Sequence, residues 1–81
     1  MPKAIVLVTT DFGSDDSVIE ELKTLEGVTV AHKVSGLYDI LAEIEMNDAA
    51  KQTVFQLRNI NGIRSMVLLM VKEQPVMAIA N

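Results

Sequence analysis

The sequence predicts an α+β domain of the split βαβ type, with the element order βαββαβ, and two similar junctions carry this prediction. In residues 25–28 (LEGV) and 60–63 (INGI) an amphipathic segment ends at a glycine, and β-forming residues follow. Because glycine adopts the left-handed conformation of a helix C-cap at little cost, we expect Gly27 and Gly62 to end the two helices. The strands then form one four-stranded antiparallel sheet with both helices on one face.

The first strand and the first helix differ in their hydrophobic patterns. Residues 4–8 (AIVLV) form a continuous apolar run, which is typical of a central strand covered on both faces. A polar loop at residues 9–13 follows. Ser14 is the predicted N-cap of a helix whose first turn contains Asp15 and Asp16, where acidic side chains favour the helix dipole. The apolar face of this helix comprises Val18, Ile19, Leu22 and Leu25.

A β-hairpin is predicted next, with the chain reversing at Gly36 and Leu37. The alternation in its first strand, residues 28–35, places four side chains on the inward face: Val28, Val30, His32 and Val34. The second strand, residues 38–46, places five side chains on one face: Tyr38, Ile40, Ala42, Ile44 and Met46. The other face of this strand is wetter and carries Glu43 and Glu45.

The second helix and the last strand complete the predicted fold. The helix begins at a cap formed by residues 47–48 and points three side chains inward, namely Ala50, Val54 and Leu57. The last strand spans residues 63–73, and residues 66–71 within it are apolar on both faces. Because the helices of a two-layer fold cover one face of the sheet, we expect a second copy of the chain to cover the other. We assign Leu68 to that interface and Leu69 to the core of the monomer.

Length and composition restrict the classes of protein to consider. With 81 residues the chain has room for one domain, whose core we expect at residues 3–73, with a tail at residues 75–81. There is no cysteine for a disulfide or a thiolate ligand, and one histidine cannot form a structural metal site alone, so no metal or other cofactor is predicted. Hydrophobic residues make up 49% of the chain, more than so small a domain can bury, and this favours oligomerisation.

Charge and hydropathy argue against nucleic acid and membrane as direct partners. The net charge is −4, and the seven Lys and Arg residues are scattered rather than clustered as phosphate contacts require. No DNA-reading element is encoded. The longest apolar run, residues 66–71, is too short to span a bilayer, and the N-terminus lacks the apolar stretch of a signal peptide. We therefore expect a soluble, cytoplasmic protein.

No set of residues forms a convincing catalytic group, so no enzymatic activity is predicted. Residues 11–13 (DFG) match the metal-binding tripeptide of protein kinases, but a chain this short has no room for the kinase catalytic loop. His32 is not accompanied by a second catalytic group. Glu43 and Glu45 fit a solvated sheet face better than an acid–base pair.

Residues 34–39 (VSGLYD) have the most distinctive chemistry in the chain. Gly36 lets the backbone approach a bound molecule closely, and the N–H groups of a tight turn can bind a carboxylate. The carboxylate of Asp39 can pair with an ammonium. Together these groups suit the head group of a free amino acid. The same residues also fit an ordinary hairpin turn, in which Gly36 supplies a positive φ and Asp39 caps the turn.

Four features of the chain resemble one known family: the order of elements, residues 25–28, the hairpin at 34–40 (VSGLYDI) and residues 60–65 (INGIRS). That family is the ligand-binding domain of the Lrp/AsnC transcription regulators. This module is also called the regulation-of-amino-acid-metabolism domain, or RAM domain, and the resemblance covers residues from about 3 to 73. In that family the domain follows a DNA-binding helix-turn-helix domain. No such domain is found in this sequence, so the chain resembles the stand-alone form.

The resemblance implies a ferredoxin-like α+β homodimer that pairs through the helix-free sheet face and assembles further into rings. It also implies small-molecule effectors, most often amino acids, bound where dimers meet. A domain of this kind modulates transcription or metabolism through protein partners, among which full-length Lrp/AsnC regulators are candidates.

By match to the family pattern, six residues are implied to form the effector site: Gly36, Leu37, Tyr38 and Asp39 in the hairpin, and Ser65 and Met66 in the last strand. Family members often carry threonines after the Arg-Ser pair, whereas this chain has Met66 and Leu68. The site has fewer hydroxyl groups as a result, which favours an apolar or small effector.

Two alternatives stay open. An ACT-type regulatory domain has the same order of elements and binds amino acids near its first loop and first helix, but residues 11–15 are acidic here and would repel a carboxylate. A small dimeric α+β barrel enzyme would also explain the apolar sheet face. A deep cavity containing His32 would favour that enzyme.

Overall fold

The computed structural model describes residues 3–48 and 50–71 and confirms the predicted α+β fold with its βαββαβ order. Its elements are β1 (Lys3–Thr10), α1 (Asp15–Lys23), β2 (Val28–Lys33), β3 (Ile40–Glu45), α2 (Ala50–Leu57) and β4 (Ile63–Met70). The strands form one antiparallel sheet in the order β2-β3-β1-β4. Residues 72–73 of the predicted last strand and the predicted tail at 75–81 lie outside the described residues. None of the described helices is long and apolar enough to cross a membrane.

The core lies between one face of the sheet and the two helices. Its fully buried members from the strands are Ala4, Val6, Val8, Ile40, Ala42 and Ile44. Val18 and Leu22 of α1 are also buried, as predicted. In α2 the buried residues are Ala50, Thr53 and Leu57, while the predicted Val54 is half-buried. Thr53 is buried in place of Val54 because the Thr53 hydroxyl donates a 2.7 Å hydrogen bond to the carbonyl of Glu26. This hydrogen bond attaches α2 to the turn before β2.

The two junction glycines have positive φ angles, as the prediction required, but they do not cap the helices. The α1 helix ends at Lys23 with Thr24 as its C-cap, and α2 ends at Leu57. Gly27 (φ 88°) and Gly62 (φ 98°) lie in the turns that lead into β2 and β4. A Cβ atom on Gly62 would lie 3.0 Å from side-chain atoms of Ser14 and Val18, so close packing as well as the backbone conformation requires glycine there.

A bulge in β2 reverses the predicted faces of its central residues. Val28 pairs with Ile44, whereas Val30 pairs with Glu43, so Thr29 is an extra residue in the ladder. Beyond the bulge, Ala31 packs against the core. His32 is exposed on the helix-free face. The prediction that Val30 and His32 face inward is therefore wrong.

The assignment of Leu68 and Leu69 is also reversed. Leu68 pairs with Val6, which is buried beneath the helices, and Leu69 pairs with Ile5 on the other face. Leu68 thus lies on the helix side of the sheet and Leu69 on the helix-free side. A continuous apolar run has no alternation from which the faces can be read, so only the register with β1 decides them.

The helix-free side of the sheet, called here the open face, is largely apolar at its centre. Pairing and alternation assign six apolar residues to it: Ile5, Leu7, Val30, Leu41, Val67 and Leu69. An ion pair between Lys3 and Glu43 (3.3 Å) lies beside them. As predicted, Glu43 and Glu45 share this face.

Candidate functional site

Three segments meet at one end of the sheet: the loop after β1, the hairpin turn between β2 and β3, and the start of β4. The backbone N–H of Asp39 donates to the carbonyl of Val8 (2.8 Å), which joins the hairpin to β1. The N–H of Asp11 donates to the carbonyl of Gly62 (2.8 Å), which joins the β1–α1 loop to the turn before β4. The predicted hairpin site therefore lies beside the first loop of the chain.

Asp39 is a structural anchor as well as a candidate binding residue. Its Oδ2 atom accepts hydrogen bonds from the backbone N–H of Thr10 (2.9 Å) and, at 3.3 Å, from the Thr10 hydroxyl. That hydroxyl also lies 2.5 Å from Oδ1 of Asp15. Because one hydroxyl has one proton to donate, it can serve only one of the two carboxylates at a time, and the shorter distance favours Asp15. The Oδ1 atom of Asp39 has no hydrogen-bond partner among the described residues.

An open cavity of about 460 Å³ lies at this end of the sheet and is called here the sheet-end cavity. Its lining residues are Thr10, Asp11, Phe12, Gly13, Asp15, Asp16, Lys33, Asp39 and Arg64. The lining contains four carboxylates and two cationic side chains, and its volume lies within the range of about 300–1,000 Å³ that is usual for small-molecule sites.

Lys33 is one of the two cations, and it is already paired. Its Nζ atom lies 2.8 Å from Oδ1 of Asp16. The hydrogen bond from Lys33 to Asp16 and the charge of Asp16 raise the pKa of Lys33 above its ordinary value, and they outweigh the lowering by desolvation. Lys33 is therefore cationic at neutral pH, and Asp16 compensates its charge.

Arg64 is the other cation, and a bulge in β4 sets its position. Thr9 pairs with Ser65 and Thr10 with Ile63, so Arg64 is an extra residue without a partner on β1. Bulges of this kind redirect a side chain and are frequent beside functional sites. Arg64 is exposed and forms no hydrogen bond or ion pair with the other described residues. The sequence signal for it is that Arg64 is the sole charged residue of β4.

The structure brings together only part of the predicted site. Asp39 lines the sheet-end cavity, whereas Gly36, Leu37 and Tyr38 do not. Gly36 has a φ of 133°, which favours glycine, and the space around its Cα is open. Leu37 is 91% exposed at the tip of the hairpin, and Tyr38 is half-buried.

Ser65 and Met66 lie on opposite faces of β4. The hydroxyl of Ser65 is 2.5 Å from that of Thr9 on the open face. Met66 pairs with Val8 and packs against the core on the helix side. Within one subunit these two side chains point away from each other, and neither lines the sheet-end cavity.

The remaining candidates gain no support from the geometry. His32 is exposed and does not line the sheet-end cavity. No group of three or more His, Asp or Glu residues in the described part of the chain is arranged to hold a metal ion. Most of the acidic loop at residues 11–15 borders the cavity, at the position where an ACT-type domain binds its ligand, and its carboxylates disfavour a ligand carboxylate beside them.

A four-stranded antiparallel sheet with two helices on one face and the order βαββαβ defines the ferredoxin-like class of α+β domains. Comparison of sequences is more specific. The profile of the Lrp/AsnC ligand-binding domain matches residues 3–79, so this chain belongs to that family. None of the curated protein sequences compared with it matches significantly.

Several solved structures are similar to the chain. TTHA0845 from Thermus thermophilus has a TM-score of 0.85 at 21% identity, over 95% of this chain and 100% of that one. The protein FFRP-DM1 has a TM-score of 0.78 at 24% identity, over 89% and 100% of the two chains. Escherichia coli AsnC has a TM-score of 0.79 at 22% identity, and the match covers 98% of this chain but 56% of AsnC. At these identities the likeness establishes the fold.

Proposed function

We propose that this domain binds a free amino acid at the sheet end and acts as an effector sensor. The observation that carries the proposal is that Asp39 and Arg64 line one cavity, and that Oδ1 of Asp39 and the guanidinium of Arg64 have no hydrogen-bond or ion-pair partner among the described residues. Oδ1 of Asp39 can accept from the ammonium of an amino acid, and the guanidinium of Arg64 can bind its carboxylate through two parallel hydrogen bonds. Membership of a ligand-binding family supports a small-molecule role.

The lining also favours one class of amino acid. Carboxylates outnumber cations by four to two, so an effector with an acidic side chain would be repelled. Phe12 is fully exposed at the edge of the cavity and Leu37 is exposed on the neighbouring hairpin, where they can contact an apolar side chain. We therefore propose a neutral, apolar amino acid as the effector, with the hairpin residues Gly36–Tyr38 close to its side chain.

A second copy of the chain is proposed to cover the open face. Without a partner, the open face would leave a contiguous apolar surface in water, which a small monomer rarely tolerates. This surface is formed by Ile5, Leu7, Leu41, Val67 and Leu69. Two identical faces related by a two-fold axis would bury it. Further association of dimers into rings, as the family resemblance implies, would bring hairpin tips from different subunits together and would give Ser65 and Met66 access to a shared site.

The sensor is proposed to act through other proteins. The net charge of the domain is −4, which disfavours its direct contact with nucleic-acid phosphates. A change in assembly on effector binding would therefore be transmitted by contact, with full-length Lrp/AsnC regulators as one class of partner. Regulation, rather than catalysis, is the proposed role.

A thermal-shift screen of the free amino acids tests the proposal. A ligand that binds only the folded protein stabilises it by about 2.7 kcal/mol at a hundredfold excess over its dissociation constant. We expect a neutral apolar amino acid to raise the melting temperature, and Arg64→Gln to abolish that rise. Lys33→Gln is the matched control, since this cation lines the same cavity but is paired with Asp16. A flat screen, or equal shifts in the parent and in Arg64→Gln, would contradict the proposed site.

A further inference from the structure

The charges of this chain are divided unevenly along its length. Ten of its 11 acidic residues lie between Asp11 and Asp48, whereas residues 50–71 contain three cationic residues and no Asp or Glu. Lys51 lies in α2 and Arg58 directly follows that helix, while the third cation is Arg64 of the sheet-end cavity. A domain with a net charge of −4 therefore has a locally basic surface at α2.

An open cavity of about 420 Å³ lies along the exposed side of α2. Its lining residues, called here the α2 surface, are Lys51, Val54, Phe55, Arg58 and Asn59. The spacings of four and three residues from Lys51 to Phe55 to Arg58 place these side chains on one side of the helix. Phe55 is 61% exposed between the two cations. Neither cation forms an ion pair with another residue in the ranges 3–48 and 50–71.

The α2 surface has the composition of a protein contact. Aromatic side chains and arginine are enriched at the centres of interfaces, where they contribute much of the binding energy. The dimer proposed above does not cover this surface, because the helices lie on the other side of the sheet from the open face. A partner for the α2 surface needs carboxylates for the two cations and a large apolar side chain for Phe55.

The segment that joins β1 to α1 in the same chain has this chemistry. Residues 11–16 (DFGSDD), called here the acidic segment, contain three aspartates and the fully exposed Phe12. The carboxylate of Asp11 has no ion-pair partner within the described part of the chain. The side chain of Asp16 is 85% exposed even though it pairs with Lys33. An exposed ring between exposed carboxylates is complementary to an exposed ring between cations.

We propose that the acidic segment of one copy docks on the α2 surface of a second copy. The ring of Phe12 packs against that of Phe55, as aromatic pairs do when they leave water. The carboxylates on either side of Phe12 then pair with the cations on either side of Phe55. The full exposure of Phe12 shows that the segment does not dock on its own α2.

This contact joins copies head to tail. The α2 surface shares no lining residue with the sheet-end cavity, where Asp11, Phe12 and Asp16 lie. Each copy therefore offers its acidic segment to one neighbour and its α2 surface to another, and repetition of such a contact forms a ring when the rotation closes. The neighbour's α2 surface also comes to lie at the edge of the sheet-end cavity, so a second copy contributes cationic groups beside it.

The contact follows from surface charge and exposed aromatic side chains and does not depend on the proposed amino-acid effector. Its test is therefore made without any amino acid, and its failure would leave the effector site at Asp39 and Arg64 untouched. Conversely, a flat thermal-shift screen would not alter the assembly expected here.

Charge reversal with sedimentation velocity in dilute buffer, where screening is weak, tests the contact. Lys51→Glu/Arg58→Glu makes both surfaces acidic, and Asp11→Lys/Asp16→Lys makes both basic. We expect the parent to sediment as an assembly larger than a dimer and each variant alone to lose that assembly. An equimolar mixture of the two variants should recover it, because every acidic surface then meets a basic one.

A matched control separates this contact from the overall charge. Arg58→Glu and Lys23→Glu change the net charge equally, but Lys23 is exposed and lines neither cavity, so only Arg58→Glu should weaken the assembly. Phe12→Ser should weaken it as well. All these side chains are exposed, and circular dichroism checks that the variants stay folded.

Three results would overturn the proposal. A parent no larger than a dimer would leave the α2 surface to an acidic segment of a different protein. Reversed variants that keep the assembly of the parent would place the contact elsewhere on the domain. Folded variants whose mixture does not recover the assembly would show that the two surfaces do not meet.

Discussion

Replacing Asp39 by alanine should destabilise the domain even though the residue lies at a hairpin. Its Oδ2 atom accepts the buried N–H of Thr10 at 2.9 Å, and the 3.3 Å contact with the Thr10 hydroxyl is shared with Asp15. A hydrogen bond to a charged group contributes about 1.5–3 kcal/mol, and a buried N–H left without a partner costs about 1–3 kcal/mol. Counting only the short bond, we expect Asp39→Ala to lower the free energy of unfolding by about 2 kcal/mol.

Urea denaturation followed by circular dichroism measures this change directly. In a domain of this size, 2 kcal/mol corresponds to a fall of about 8–16 °C in the melting temperature. Asp16→Ala is the matched control, because Asp16 lines the same cavity but its side chain is 85% exposed, and its loss should leave the transition midpoint nearly unchanged. An Asp39→Ala protein that unfolds at the urea concentration of the parent would refute the anchoring role.

Asp39→Asn separates anchoring from ligand binding. An asparagine keeps an oxygen that can accept the N–H of Thr10, so most of the stability should remain. It lacks the charge that pairs with an ammonium, so the affinity for the amino acid found in the screen should fall by tenfold or more, since charge-assisted hydrogen bonds contribute about 1.5–3 kcal/mol. Calorimetric titration of the folded variant measures this, and unchanged affinity would move the ammonium site away from Asp39.

Three further predictions concern assembly and packing. Leu69→Asp should dissociate the proposed dimer, since it would bury an unpaired charge, whereas Leu68→Asp on the helix side should leave a dimer. Sedimentation velocity distinguishes the two variants, and equal sedimentation of both would contradict the face assignment. Leu22→Ala should cost about 2–5 kcal/mol in urea denaturation because the side chain is fully buried, and a cost below about 1 kcal/mol would contradict this packing. Gly62→Ala should destabilise more than Gly13→Ala, because both have positive φ but only the first Cβ meets neighbouring atoms, at 3.0 Å; equal melting temperatures would refute this.

Much of the fold could be predicted from the sequence because its local patterns agree with one another. The alternation in β3 identified Ile40, Ala42 and Ile44 as core residues, and the helical spacing in α1 identified Val18 and Leu22. The glycines at positions 27 and 62 do adopt the positive φ that their place between a helix and a strand indicated. These features depend on side-chain periods of two and 3.6 residues, which are visible within single elements.

The errors occurred where pairing between strands decides the outcome. An extra residue in β2 turned His32 outward, and a bulge is a property of two paired strands that neither sequence displays alone. The faces of Leu68 and Leu69 depended on register with β1 for the same reason. Thr53 was buried in place of Val54 because a distant carbonyl, that of Glu26, accepts its hydroxyl proton.

For the candidate site, the sequence by itself identified Asp39 and the hairpin as chemically distinctive, because glycine and aspartate have recognisable roles in turns. Only the tertiary structure placed Asp39 against Thr10 and in one cavity with Arg64, residues separated by 29 and 25 positions in the chain. It also separated Ser65 from Met66, which are adjacent in sequence but lie on opposite faces of β4. Local chemistry can be read from neighbouring residues, whereas a binding site is assembled by contacts between distant ones, and those contacts exist only once the strands have paired.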